Sequence, residues 1–168
     1  GNFIQYETKA IQKDKTEIIL KMAGQTQRLL FPLLGKFQLE NALLAAGFAY
    51  ITGVPLAQIV PSLEKLHSVS GRLELVASLP EDIKIYIDYA HKPEALESVL
   101  KALRTHSAGR LFVVFGCGGD RDKGKRALMG KIAQDQADIV VVTDDNPRYE
   151  DAALIRKDIL VAAKKAHE

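Results

Sequence analysis

Apolar and polar positions change rhythm along this chain. From Phe3 to Phe31 they come in short mixed stretches, such as Glu17-Ile18-Ile19-Leu20-Lys21-Met22 followed by the turn signal Ala23-Gly24-Gln25, which predict a small antiparallel strand system. Two helices are predicted next. Leu39, Leu43, Ala46, Phe48 and Tyr50 lie in one apolar stretch ending at Gly53, and Ile59, Leu63 and Leu66 recur near helical spacing after Pro55. Ser68-Val69-Ser70-Gly71 then reads as a hinge. The expected division is residues 1–69 and 70–168.

Beyond the hinge, strands and helices alternate, the signature of a parallel sheet with right-handed crossovers. Ile83–Ile87 is the first predicted strand, and its helix opens at Pro93 with Leu96, Val99, Leu100 and Leu103 on one face. The second strand is Leu111–Phe115, with a helix from Lys125 to Gln134. The third is the run before Thr143, with a helix from Ala152 that should turn Leu154, Ile155, Ile159 and Leu160 inward. The fold class is thus α/β, a Rossmann-like and mostly parallel sheet with flanking helices, preceded by an α+β segment. Three strands are few for such a sheet, so this domain is expected to continue beyond Glu168.

A chain of 168 residues that is 47% hydrophobic can bury one good core, or one domain and a piece of another. No apolar run approaches the roughly 20 residues that span a bilayer, and nothing N-terminal reads as a signal peptide. The net charge of +2 gives no ground for nucleic acid or membrane partners. Cys117 stands alone, which excludes an intramolecular disulfide and a cysteine-rich zinc site and fits a reducing cytoplasm. The expected protein is cytoplasmic and monomeric.

Chemistry gathers where the three predicted strands end. Asp88-Tyr89-Ala90-His91 follows the first. An aspartate there can accept from a ribose diol, or simply prepare the helix that follows, with His91 as a surface residue. The second strand empties into Gly116-Cys117-Gly118-Gly119-Asp120-Arg121-Asp122-Lys123-Gly124-Lys125-Arg126. Its glycines would let backbone N–H groups crowd an anion at a helix N-terminus. Gly119 to Arg126 approaches a phosphate loop but ends in Arg126 where Ser or Thr would hold magnesium, and Arg121 stands where a G-x-G-x-x-G would close. Neither template is met. Cys117 reads as a small filler.

The third strand leads to Asp145-Asn146-Pro147-Arg148. As a turn it needs only Asn-Pro; as a site it offers a carboxylate, an amide and a guanidinium. Arg148 and Arg121 at neighbouring strand tips would clamp a carboxylate, and Asp145 would meet an ammonium. A ligand bearing both charges, such as an amino acid, satisfies the set. A non-catalytic Rossmann-type amino-acid-binding module would use the same residues.

Together the segments Asp88–His91, Gly116–Arg126 and Thr143–Arg148 resemble the Mur ligases of peptidoglycan synthesis, and within them the branch that adds meso-diaminopimelate to UDP-N-acetylmuramoyl-L-alanyl-D-glutamate. The resemblance runs from Leu33 to the end and implies an ATP- and Mg2+-dependent amide-forming ligase. It implies that Arg121, Asp145, Asn146, Pro147 and Arg148 bind diaminopimelate, and that Asn41, Arg72, Asp88, Tyr89 and His91 face ATP. Gly35–Asn41 resembles the end of the family's central ATPase domain, with Gln38 where Asn is usual, and Gly71-Arg72-Leu73-Glu74 resembles the opening of its C-terminal domain. Lys92 and Ala127 stand where Thr and Pro are common. The sequence contains no G-T-x-G-K-[ST] loop and no Gly-Lys-Gly-His-Glu segment. No catalytic side chain or metal ligand is therefore assigned, and these residues alone are expected to be inactive.

Overall fold

Ile18, Leu20 and Met22 alternate along one strand, and in the computed structural model this period of two turns all three into one core. The structure describes residues 4–164, 166 and 167; Phe3, where the strand system was expected to begin, lies outside them. Strands β1 (Ile4–Ile11), β2 (Thr16–Met22) and β3 (Gln25–Phe31) form an antiparallel sheet in that order. Ala23 (φ 49°) and Gly24 (φ 77°) close the β2–β3 hairpin, because a two-residue turn with both φ positive matches the twist of the strands it joins. Helices α1 (Lys36–Ile51) and α2 (Leu56–Leu63) supply Leu39, Leu43, Ala46, Leu56, Ile59 and Leu63 to the same core. Phe48 does not follow its apolar stretch inward and is 60% exposed.

Strand β4 (Glu74–Leu79) pairs antiparallel with β5 (Ile83–Ile87). Sequence reading did not predict β4, and β5 is hydrogen-bonded to it rather than to β6 or β7. Pro80-Glu81-Asp82 reverses the chain, with φ of 61° at Glu81 and 63° at Asp82, and so delivers β5 back onto β4. The chain divides into two compact units, residues 1–89 and 90–168, later than the Ser68–Gly71 segment.

In the second unit α3 (Pro93–His106), β6 (Phe112–Phe115), α4 (Gly124–Gln136), β7 (Ile139–Val142) and α5 (Ala152–Leu160) alternate. β6 and β7 are parallel, in register from Phe112 with Ile139 to Phe115 with Val142, and α4 is their crossover. His167 extends the pattern beside β7, donating its N–H to Val140 O at 2.8 Å and accepting from Val142 N at 2.8 Å. Leu96, Leu100, Met129, Ala133, Val140, Val142, Ile155 and Ile159 fill the core. Leu154, expected inward, is 59% exposed, because Ile155 and Ile159, one turn apart, define the buried stripe of α5. Among the described residues no helix is long and apolar enough to cross a membrane.

Candidate functional site

Because β6 and β7 are parallel and in register, their ends deliver the segments 116–123 and 143–151 to one edge of the sheet. Thr143 N donates to Phe115 O at 3.0 Å where the strands finish. The glycines then serve the approach of one loop to the other. A Cβ on Gly116 would strike the Thr143 carbonyl, one on Gly119 the Pro147 carbonyl, and one on Gly118 would lie 2.8 Å from Arg148 Nη1. The Gly119 amide, expected to be offered to an anion, is donated to Asn146 O at 2.9 Å.

Two non-glycine residues with positive φ, Asp120 (50°) and Arg148 (51°), bend these loops around each other. Arg148 Nη1 donates to Gly119 O at 2.6 Å, and its amide donates to Asn146 Oδ1 at 3.2 Å. Tyr149 N donates to Asp120 Oδ2 at 3.1 Å. A Cβ on Gly118 would stand 2.8 Å from Arg148 Nη1, 3.5 Å from Asn146 O and 3.8 Å from Asp145 Oδ2. A guanidinium, a backbone carbonyl and a carboxylate are thus gathered beside Gly118. Arg121, one residue past the bend at Asp120, is exposed and makes no hydrogen bond or ion pair with the described residues.

Beneath these loops lies a cluster that sequence reading missed. Arg126 is 1% exposed and forks onto Glu150, with Nη1 3.1 Å from Oε2 and Nη2 2.8 Å from Oε1, and Nη1 also reaches Asp158 Oδ2 at 2.9 Å. Glu150 further accepts from Asp120 N at 2.6 Å and from Lys123 Nζ at 2.9 Å. Arg126, Lys123 and the Asp120 amide hold the Glu150 carboxyl at about 2, well below its ordinary value. Buried among the described residues, Arg126 Nε has no hydrogen-bond partner. Its partners lie 24 and 32 positions away, beyond the reach of any local motif.

The partial phosphate-loop match dissolves for the same reason. Arg126 is turned into the core, and Lys125 Nζ donates to His91 O at 2.7 Å. Asp122 Oδ1 accepts from Gly124 N at 2.9 Å where α4 opens. Cys117 is buried with Sγ 3.8 Å from Met129 Sδ, and burial pushes its thiol up, as a filler rather than a nucleophile.

In the first unit, Asp88 does not cap the helix after it, since α3 begins without a side-chain cap. Its Oδ2 instead accepts from Leu73 N at 2.8 Å, holding a buried leucine at φ 48°. Tyr89 N donates to Gly71 O at 2.8 Å, and the Arg72 guanidinium sits 5.5 Å over the Tyr89 ring. Gln38 Nε2 donates to Arg72 O at 3.0 Å. Arg72, Asp88 and Tyr89 are therefore brought together, with α1 tied to them through Gln38. Asn41 is exposed on α1, and His91 is exposed ahead of α3. Among the described residues no group of His, Cys, Asp or Glu could hold a metal ion.

Residues 71–168 match the Mur ligase, glutamate ligase domain. Over 168 residues the chain is 48% identical to UDP-N-acetylmuramoyl-L-alanyl-D-glutamate--2,6-diaminopimelate ligase of Brucella melitensis, covering all of this chain and 34% of that relative. It is 57% identical over 137 residues to the protein of the same name in Agrobacterium fabrum, covering 82% of this chain and 28% of that one. A solved structure of an enzyme so named superposes with a TM-score of 0.60 at 38% identity, over 91% of this chain and 32% of the other. The chain spans about a third of the length of the curated relatives it matches.

Proposed function

Because this chain belongs to the Mur ligase family, we propose that it works within an ATP-dependent ligase joining meso-diaminopimelate to UDP-N-acetylmuramoyl-L-alanyl-D-glutamate, the reaction its relatives are named for. Residues 70–168 would form the C-terminal domain of that enzyme and residues 1–69 the end of its central domain. The observation that carries this reading is that Asp145 Oδ2 and Arg148 Nη1 are held close together beside Gly118. Diaminopimelate has an ammonium and a carboxylate on each of two stereocentres. Arg148 and Arg121 would grip the distal carboxylate, Asp145 the distal ammonium, and the Asn146 amide either group, while Pro147 fixes the turn that aims them.

Such binding orients the other end of the ligand. Its amine, as the free base, attacks the activated D-glutamyl carbon; the C–N bond forms, the bond to the phosphate leaving group breaks, and the amine proton goes to solvent or a base. Holding the amine in place converts an encounter into a positioned reaction. ATP with Mg2+ supplies the activation by making the carboxylate an acyl phosphate. Arg72, Asp88, Tyr89, Asn41 and His91 are proposed for the nucleotide. Asp88 spends Oδ2 on Leu73 N, leaving Oδ1 for a ribose hydroxyl. Magnesium ligands are not assigned to these residues.

L-lysine is diaminopimelate without the distal carboxylate, so the two arginines should discriminate between them. Calorimetry on the full-length gene product should show meso-diaminopimelate bound at least tenfold more tightly than L-lysine, about 1.4 kcal/mol. Equal affinities would overturn the reading. The 168-residue polypeptide by itself should give no ligase turnover.

A further inference from the structure

We propose that Glu150 is the positioning residue of the diaminopimelate site, setting where Arg121 stands without touching the ligand. This rests on the function proposed above. Glu150 follows the tetrapeptide by only one residue, yet its carboxylate serves the other loop: Oε1 accepts from Asp120 N at 2.6 Å and from Arg126 Nη2 at 2.8 Å, and Oε2 from Lys123 Nζ at 2.9 Å and Arg126 Nη1 at 3.1 Å. The Glu150 side chain is 16% exposed, and the guanidinium beneath it is fixed by Asp158.

Asp120 is thereby held at both ends. Its amide is fixed by Glu150, and its carboxylate accepts from Tyr149 N at 3.1 Å. With φ at 50° the residue turns the chain sharply and determines the direction in which Arg121 emerges. A non-glycine residue rests in that region only when its surroundings hold it there. Arg121 has no partner of its own among the described residues, so the clasp at Asp120 is what limits its range. A flexible arginine loses side-chain and loop entropy on gripping a carboxylate, and prior fixing of its backbone lowers that cost.

A double-mutant cycle on the full-length gene product separates this role from simple stabilisation. Glu150→Gln should raise the KM and the dissociation constant for meso-diaminopimelate about tenfold while leaving the KM for ATP within about twofold. In an Arg121→Ala background the same change should add less than about twofold, since Glu150 acts through Arg121. Equal losses in both backgrounds, or a lowered melting temperature with unchanged affinity, would overturn the proposal. If Glu150→Gln does not fold, Asp120→Ala, on an exposed loop, removes the acceptor of Tyr149 N and disfavours the positive φ. It should bring a similar loss of affinity, and an unchanged affinity would count against the clasp. Arg121→Ala alone tests the underlying reading: if it leaves diaminopimelate binding intact, the site assignment fails, whatever Glu150 does.

Discussion

The Arg148 guanidinium donates to the Gly119 carbonyl across 2.6 Å, joining the end of the tetrapeptide to the glycine-rich loop. Nη1 is thus engaged by protein and also stands beside Gly118. Lysine keeps the charge but cannot hold a backbone carbonyl and a ligand carboxylate in one plane. Arg148→Lys should therefore weaken meso-diaminopimelate binding about tenfold or more, measured by calorimetry. Wild-type affinity in that variant would show that charge alone suffices.

Gly119→Ala should destabilise the second unit. The added Cβ would overlap the Pro147 carbonyl, a backbone atom that cannot swing aside. Overpacking of this kind costs about 1–3 kcal/mol, visible as a lower urea midpoint. An unchanged midpoint would mean that the two loops separate freely.

Arg126→Leu should cost about 3 kcal/mol in denaturant titration. The substitution leaves the largely enclosed Glu150 facing an apolar side chain and strips Asp158 of its partner, the situation in which breaking a buried pair is most damaging. Lys123 and the Asp120 amide still serve Glu150, which keeps the cost at the lower end of the usual range. A variant as stable as the parent would show that the cluster contributes nothing net.

Acid should loosen the same loops. Glu150 is held at about 2 against an ordinary 4.5, chiefly by Arg126, so the folded state favours its ionised form. That stabilisation is fully present above the ordinary value and is lost as pH falls from about 4.5 towards 2. Glu150→Gln should flatten the fall in melting temperature across this window. Identical acid profiles for the two proteins would refute the assignment.

How much of this was legible in the sequence depended on the range over which residues interact. The β2–β3 hairpin could be read because Ala23-Gly24 and the alternation of Ile18, Leu20 and Met22 are local, and so could the β6–α4–β7 crossover. The β4–β5 pairing was not read because the reversal that joins the two strands rests on positive φ at Glu81 and Asp82, non-glycine residues that carry no turn signal in sequence. At the site, Asp145 and Arg148 were visible as chemistry, whereas Glu150 and Arg126 were not. A buried ion pair joining a helix to a distant loop leaves no periodicity and no spacing rule to find.

Arg148 carries its guanidinium on a backbone held at φ 51°. In the proposed site, the charge that would select the ligand and the backbone strain are therefore encoded by one codon. Replacing it with asparagine or glycine would relax the turn while discarding the charge, and a β-branched residue would lose both the charge and the conformation. Divergence towards another amino-acid ligand would meet fewer obstacles at Asp145 and Asn146, neither of which has a positive φ, than at the arginine proposed for the carboxylate. An evolutionary path to a new specificity would change that arginine only together with the loop around it.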